Sequence, residues 1–351
     1  MKIIITGICG FVGSSLAKAL IDDNNEIIGI DNFCRAGSWL NKEPLQKLDI
    51  QIIYGDIRNA SDVDTLPKAD WLIDAAANPS VLAGIDGKTS SRQLIEHNLQ
   101  GTVNILEYCK RHQAGFTLLS TSRVYSIKGL SHMSVKEING AFQPLIDQNT
   151  PTGITAKGVT ENYSTQPPVS LYGSTKLASE HLALEYGYTF DFPVWINRCG
   201  VLAGASQFGH PTQGIFAFWI HSFREKRPLK YIGFGGQGYQ VRDCLHPRDI
   251  VSLLQKQFSE PLHCPPRIVN LSGENSMSLR QLSEWCESRF GPNQIDKTTE
   301  ERPFDIPWMV LDHTLASETW NWQPKTPIKD ILTEIANFAD YHPDWLSISQ
   351  M

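Results

Sequence analysis

The stretch Lys2-Ile3-Ile4-Ile5-Thr6-Gly7-Ile8-Cys9-Gly10-Phe11-Val12-Gly13 decides the fold, together with the amphipathic run that continues to Ile21. Lys2–Thr6 is β-branched and reads as a buried strand, while Phe11–Ile21 carries helical periodicity. Between them, glycines let the backbone turn sharply and come close to a pyrophosphate. The helix N-terminus then offers unpaired N–H groups and the positive end of its dipole. Glycine turns join strands to helices in many settings, so context matters: here a strand precedes the glycines and a helix follows. Gly7, Cys9, Gly10, Phe11, Val12 and Gly13 are therefore the expected dinucleotide contacts.

Eighteen residues past Gly13, after a second strand at Glu26–Ile30, stands Asp31. A carboxylate there accepts hydrogen bonds from both ribose hydroxyls of NAD and repels the extra phosphate of NADP. Asp31-Asn32 also suits a plain strand-end turn, and Arg35 nearby would soften the cofactor preference. NAD is the cofactor expected.

Outward from this unit, Ile50–Tyr54, Trp71–Ala75 and Phe116–Leu119 read as further strands, with a helix over Arg92–His112. Helix returns at Tyr172–Tyr188, then a strand at Pro193–Asn197 and a helix at Ser278–Phe290. The rhythm predicts an α/β fold, a Rossmann-type doubly wound parallel sheet with a smaller irregular C-terminal substrate lobe. Residues 1–170 are expected to be mainly the NAD-binding domain, which 171–199 complete. Residues 200–351 are expected to be mainly the substrate lobe, with the chain crossing back near 240–260. Ser126–Ser170, rich in Gly, Pro, Ser, Thr and Asn, reads as irregular, a pattern that marks functional or disordered chain.

Tyr172-Gly173-Ser174-Thr175-Lys176 opens a predicted helix, and a spacing of four puts Tyr172 and Lys176 on one face. Oxidising an alcohol needs a base for the hydroxyl proton, and an ordinary tyrosine titrates too high for this at neutral pH. A lysine ammonium and a positive nicotinamide ring stabilise the phenolate. The same spacing also occurs between unrelated residues on amphipathic helices.

Composition narrows the function classes. The 351 residues carry a net charge of −6, with 41% apolar and 19% charged residues, an ordinary profile for a soluble protein and a poor one for nucleic-acid binding. The chain starts directly in an apolar strand with no signal-peptide pattern, and no apolar run approaches the about 18 residues of a membrane span. Seven scattered cysteines (Cys9, Cys34, Cys109, Cys199, Cys244, Cys264, Cys286) lack metal or disulfide spacing, so free thiols in the cytoplasm and no metal are expected.

The glycine spacing, with the Tyr172/Lys176 pair, resembles the extended short-chain dehydrogenase/reductase family of NAD-dependent nucleotide-sugar enzymes. Later landmarks fit that resemblance. Gly55-Asp56-Ile57-Arg58 looks like the family's adenine contact through Asp56 and Ile57. Asp74-Ala75-Ala76-Ala77 looks like its small-residue strand end, and Asn98 like its mid-helix asparagine. Leu119-Ser120-Thr121-Ser122-Arg123-Val124-Tyr125 looks like the segment that supplies a substrate-orienting hydroxyl, here Thr121. The family's 4,6-dehydratases place Asp-Glu directly after that threonine to eliminate water, whereas this chain has Ser122 and Arg123. The resemblance therefore implies an epimerase.

Arg242 and Arg302 match family arginines that hold the substrate diphosphate, although each could instead pair with Asp243 or Asp305. Arg198–Gly204, Gln207, His210 and Gln213 are most similar to the family's 2-epimerases of CDP-linked deoxysugars. Val201 stands where 4-epimerases carry asparagine. By position, Asn78, Ser80, Ser122 and Arg123 should border the sugar, and Gln207, His210 and Gln213 the nucleotide. The family also implies a homodimer through the helices Arg92–His112 and Gly173–Tyr188. The alternatives are a 4-epimerase, an NAD(H)-linked reductase, or a catalytically idle NAD-binding sensor or scaffold. The sequence leaves the sugar and the oxidised carbon open.

Overall fold

The computed structural model describes residues 1–21, 25–85, 87, 90–210, 213–260 and 267–349; Cys264 lies outside them. In chain order the strands are β1 (Lys2–Thr6), β2 (Glu26–Asp31), β3 (Gln51–Tyr54), β4 (Trp71–Asp74), β5 (Gly115–Thr121), β6 (Val135–Ile138) and β7 (Ala141–Pro144). They continue with β8 (Val194–Cys199), β9 (Leu229–Tyr231), β10 (Val241–Asp243), β11 (Ile268–Leu271), β12 (Ser276–Ser278), β13 (Ile295–Lys297) and β14 (Trp308–Met309).

Ile3, Ile4 and Ile5 of β1 are all fully buried, and they enter two different cores. Successive side chains of a strand point to opposite faces. Ile3 and Ile5 join Leu16, Ala17 and Leu20 of the helix Phe11–Leu20 and Ile250, Leu253 and Leu254 of the helix Pro247–Phe258. Ile4 packs on the other side with Ile105 and Leu106 of the helix Gly101–His112 and Ala183 of the helix Ser170–Phe190. A strand covered on both faces needs apolar residues at every position, which explains the unbroken isoleucine run. Each such side chain contributes about 1.5–3 kcal/mol over leaving it exposed.

The strands β3-β2-β1-β4-β5-β8-β11 form one seven-stranded parallel sheet. This is the doubly wound architecture the sequence predicts. Strand order reverses between β1 and β4, and in such sheets ligands bind beyond the carboxyl ends at that reversal. Trp195 of β8 donates its indole N–H to the Gln257 carbonyl (3.0 Å), and the Asn197 and Gln257 amides exchange hydrogen bonds at 3.0 and 2.9 Å. These contacts seat Pro247–Phe258 on the sheet, and β11 follows as its edge strand.

The rest of the second half builds a lobe from the helices Ile215–Arg224, Leu279–Phe290 and Ile328–Tyr341 with the small sheet β12-β10-β14. Its core includes Trp219, Phe223, Leu282 and Leu332.

Two local features differ from expectation. The irregular stretch Ser126–Ser170 contains the antiparallel hairpin β6–β7, whose turn residues Asn139 and Gly140 both have positive φ (51° and 75°). Asn-Gly favours that left-handed pair, so a hairpin signal stood in the composition-biased stretch. The helix Arg92–His112 is interrupted by a π-turn at Glu96–Gln100.

Cys9, Cys34, Cys109, Cys199, Cys244 and Cys286 are free thiols. Among the described residues no helix is long and apolar enough to cross a membrane, and no His/Cys/Asp/Glu cluster could hold a metal.

Candidate active site

The carboxyl ends of the central strands open onto a cavity of 640 Å³ that continues into a second one of 450 Å³. Val81, Arg123, Val201, Gln213 and Gly214 line both and form a waist between them.

The first cavity begins at the glycine loop. Gly7 sits at φ +61°, a conformation that side chains strain, and its N–H is held by the Ile30 carbonyl (2.9 Å). A Cβ on Gly13 would stand 2.3 Å from the Gly7 carbonyl oxygen, so the helix can approach the loop this closely only with glycine there. Gly10 is the N-cap of the helix Phe11–Leu20, and Phe11 and Val12 line the cavity beside its first amides. Cys9 takes part through its backbone: its N–H donates to Asp31 Oδ2 (2.9 Å), while its side chain is in the core. Phe33 N–H donates to Asp31 Oδ1 (2.8 Å). Burial raises the Asp31 carboxyl, and backbone N–H groups of Phe33, Cys9 and Gly10 partly counter this.

Asn32 donates to Asp56 Oδ2 (2.9 Å), and Arg58 grips the same carboxylate at 2.6 Å. Arg58 thereby holds the Asp56 carboxyl well below its usual range. Ile57 lies beside it on the wall and packs under the helix, where a Cβ on Gly101 would stand 2.6 Å from Ile57 Cδ1. Ala75, Ala76 and Ala77 also line the cavity. The Thr6 hydroxyl accepts the N–H groups of Ala75 (3.1 Å) and Ala76 (3.0 Å) while donating to the buried Asp74 (2.7 Å).

Asn98 stands behind the wall instead of lining it. Buried at the π-turn, its side chain accepts from Asn78 N–H (2.8 Å) and donates to the Asn78 carbonyl (3.1 Å) and Thr175 (3.2 Å). Its action on the cavity passes through Asn78.

Tyr172 and Lys176 are both buried near the start of the helix Ser170–Phe190, with Thr121 at the end of β5 facing them. The Thr121 hydroxyl stands near enough to the Tyr172 phenol to lower its pKa. Burial pushes that phenol up to about 12, partly countered by Thr121 and the charge of Arg123. Lys176 Nζ donates to the Leu119 carbonyl (3.0 Å). Burial lowers its pKa, with Asp74 pulling the other way. Ser122 is buried alongside.

At the second cavity the ion pair of Arg242 is with Asp305 (3.2 Å); Asp243 instead accepts the backbone N–H groups of Val201 (2.9 Å) and Leu311 (3.0 Å). Arg302 is on the same wall. Arg35 reaches Gln213 Oε1 (3.3 Å) and the Phe208 carbonyl (3.4 Å), and its guanidinium lies over the Phe208 ring. Gln207 lines the first cavity and donates to the Leu202 carbonyl (2.7 Å). His210 pairs with Gln213 through backbone bonds of 2.9 Å, and Ser80 N–H caps Asn78 Oδ1 (3.1 Å). Neither His210 nor Ser80 lines either cavity.

Sequence reasoning passed over Phe208 and His97 on the walls. It also missed the buried set behind them, in which Arg198 binds Glu180 and Tyr125. None of these carries a local motif.

Residues 3–271 match the NAD dependent epimerase/dehydratase family. The chain belongs to that family. Its cofactor is NAD, and the glycine cradle with the strand-end carboxylate fits that dinucleotide. Among family relatives, CDP-paratose 2-epimerase of Salmonella typhi is 28% identical, over 94% of this chain and 96% of that protein. UDP-glucuronate 4-epimerase of Thermodesulfobacterium geofontis is 24% identical over 96% and 95%. Among solved structures, the UDP-glucuronic acid 4-epimerase of Bacillus cereus, in complex with UDP-glucuronic acid and NAD, matches with a TM-score of 0.78 at 25% identity. That match covers 97% of this chain and 99% of the other.

Proposed function

We propose that the chain epimerises a nucleoside-diphosphate sugar by transient oxidation of one carbinol carbon and re-reduction on the opposite face. The observation that carries this is the acid content of the cavity around Thr121, Tyr172 and Lys176. The described residues lining it include two carboxylates, Asp31 and Asp56, both at the cofactor-loop end. Ser122 and Arg123 occupy the positions where elimination of water would need an acid and a base. Oxidation and re-reduction at one carbon needs a single proton acceptor that later gives the proton back, and Tyr172 can serve as both.

NAD, when bound, takes up and returns the electron pair of the carbinol C–H bond. Tyr172 accepts the hydroxyl proton and returns it. Thr121 orients the shared oxygen, and the Lys176 charge favours the phenolate. The arginines of the second cavity hold the diphosphate while the sugar turns over. Similarity to CDP-paratose 2-epimerase and the presence of Val201 favour C2 of a CDP-linked deoxysugar. The test is incubation with CDP-, UDP-, GDP- and dTDP-sugars, following epimer composition by NMR and cofactor absorbance together. A new epimer without net cofactor change is expected. Stoichiometric cofactor consumption would make the enzyme a reductase, and no conversion of any sugar would sink the reading.

A further inference from the structure

Arg123 lines both cavities, whereas Arg242 and Arg302 line the substrate-side one alone. Its backbone is pinned. The N–H donates to the Thr121 hydroxyl (3.2 Å), and a Cβ on Gly173 would stand 2.2 Å from its carbonyl oxygen, so the catalytic helix rests directly on it. A rigid strand end thus delivers the guanidinium into the waist.

The two guanidiniums differ in what they already bind. Arg242 Nη1 donates to the carbonyls of Val241 (2.7 Å) and Ile306 (2.9 Å), and its Nη2 donates to Asp305. Protein acceptors therefore hold Arg242 before any substrate arrives. Among the described residues Arg123, with several N–H donors in a planar fork, makes a single side-chain hydrogen bond, from Nη1 to the Phe304 carbonyl (3.3 Å). Arg123 thus keeps more donors for an incoming anion than Arg242 does. Burial pushes this guanidinium down to about 10, and Arg242 and Arg302 push the same way while Asp305 opposes.

Among the described residues the charged groups on the substrate-side wall are Arg123, Lys230, Arg242 and Arg302 against Asp305, four cations against one carboxylate. A diphosphate ester, with one negative charge on each phosphate, is attracted to that surplus. At the waist, Val81 and Val201 offer the sugar methyl groups.

We propose that Arg123 is a third diphosphate-binding guanidinium beside Arg242 and Arg302. This rests on the reading of the chain as a nucleotide-sugar enzyme. The test titrates CDP and UDP, which lack the sugar, into the cofactor-loaded protein and its Arg123→Gln and Arg123→Lys variants by calorimetry. Arg123→Gln should weaken the better-bound diphosphate by about tenfold or more, and Arg123→Lys should restore part of the loss. An unchanged affinity in a folded Arg123→Gln would place Arg123 on the sugar and overturn the proposal. Should Arg123→Gln not fold, Arg123→Lys decides: a point charge cannot replace a two-pronged donor, so wild-type affinity in it overturns the proposal. Wild-type protein that binds neither diphosphate would overturn the underlying nucleotide-sugar reading as well.

Discussion

Arg198 and Glu180 form a two-pronged, fully buried ion pair, Nη2 to Oε2 at 2.6 Å and Nε to Oε1 at 3.0 Å. Glu180 lies one turn beyond Lys176 on the catalytic helix, and Ser120, next to Thr121, donates to the same carboxylate (2.5 Å). Arg198 on β8 also donates to Tyr125, whose hydroxyl reaches Asn270 of β11 (2.6 Å). One carboxylate thus joins the strand that carries Thr121 to the helix that carries Tyr172 and Lys176.

Removing one member of a buried pair leaves the other charge uncompensated, at a cost of about 3–5 kcal/mol. Glu180→Gln should lose stability on that scale in denaturant unfolding, with turnover falling in the protein that remains folded. A loss of about 0.5 kcal/mol, the scale of a surface pair, would mean that the ion pair does not fix the site.

This pair also marks where sequence stops being legible. The dinucleotide loop could be read because its strand, glycines and helix are contiguous, and because each glycine answers a local steric demand. Tyr172 and Lys176 could be read because a helix sets their spacing. Glu180, Arg198, Tyr125 and Asn270 meet because β5, β8 and β11 are neighbours in the sheet, a register that no short window encodes. Arg242 had two candidate partners in sequence, Asp243 and Asp305. The fold decides between them, because β10 and β14 run side by side and bring Asp305 to the guanidinium. Asn98 stands behind the cavity wall, because the π-turn directs its side chain onto Asn78.

Asp31 bears on cofactor choice. Cys9 and Phe33 hold its carboxylate in place beneath the glycine loop, so the negative charge is fixed where our reading puts the adenosine ribose. Asp31→Asn keeps much of the hydrogen bonding and removes the charge. Fluorescence titration should show the preference for NADH over NADPH falling by about tenfold or more, which corresponds to about 1.4 kcal/mol of relieved repulsion. An unchanged ratio would leave Asp31 as a turn residue.

For catalysis, Tyr172→Phe should lower turnover by about 10²–10⁴-fold, the usual contribution of a positioned acid–base group. The variant should still retain NAD after gel filtration. The pH profile separates the roles further. Burial holds the Tyr172 phenol high and the Lys176 ammonium low. A nearby cation lowers a phenol pKa, so Lys176→Met should move the rising limb of kcat/KM to higher pH. Asp74 supports the charge of Lys176, so Asp74→Asn should move the falling limb to lower pH. Limbs that stay in place in both variants would remove Lys176 from the proton chemistry.

Asp243 gives a stability signature with a definite sign. It sits fully buried where β8, β10 and the chain after β14 meet, and burial pushes its carboxyl from 3.8 up to about 6. A folded-state pKa above the unfolded value means that the native protein binds the proton more tightly. The resulting stabilisation is complete below the unfolded pKa and is lost as pH rises through about 6. A shift of this size corresponds to about 3 kcal/mol. Asp243→Asn cannot titrate, and the general pH response of the rest of the chain cancels in the comparison. The stability of the native protein relative to Asp243→Asn should therefore fall by about 2–3 kcal/mol from about pH 4 to about pH 7 in urea unfolding. A difference that stays flat across that window would mean that Asp243 is ionised in the fold as readily as in the open chain.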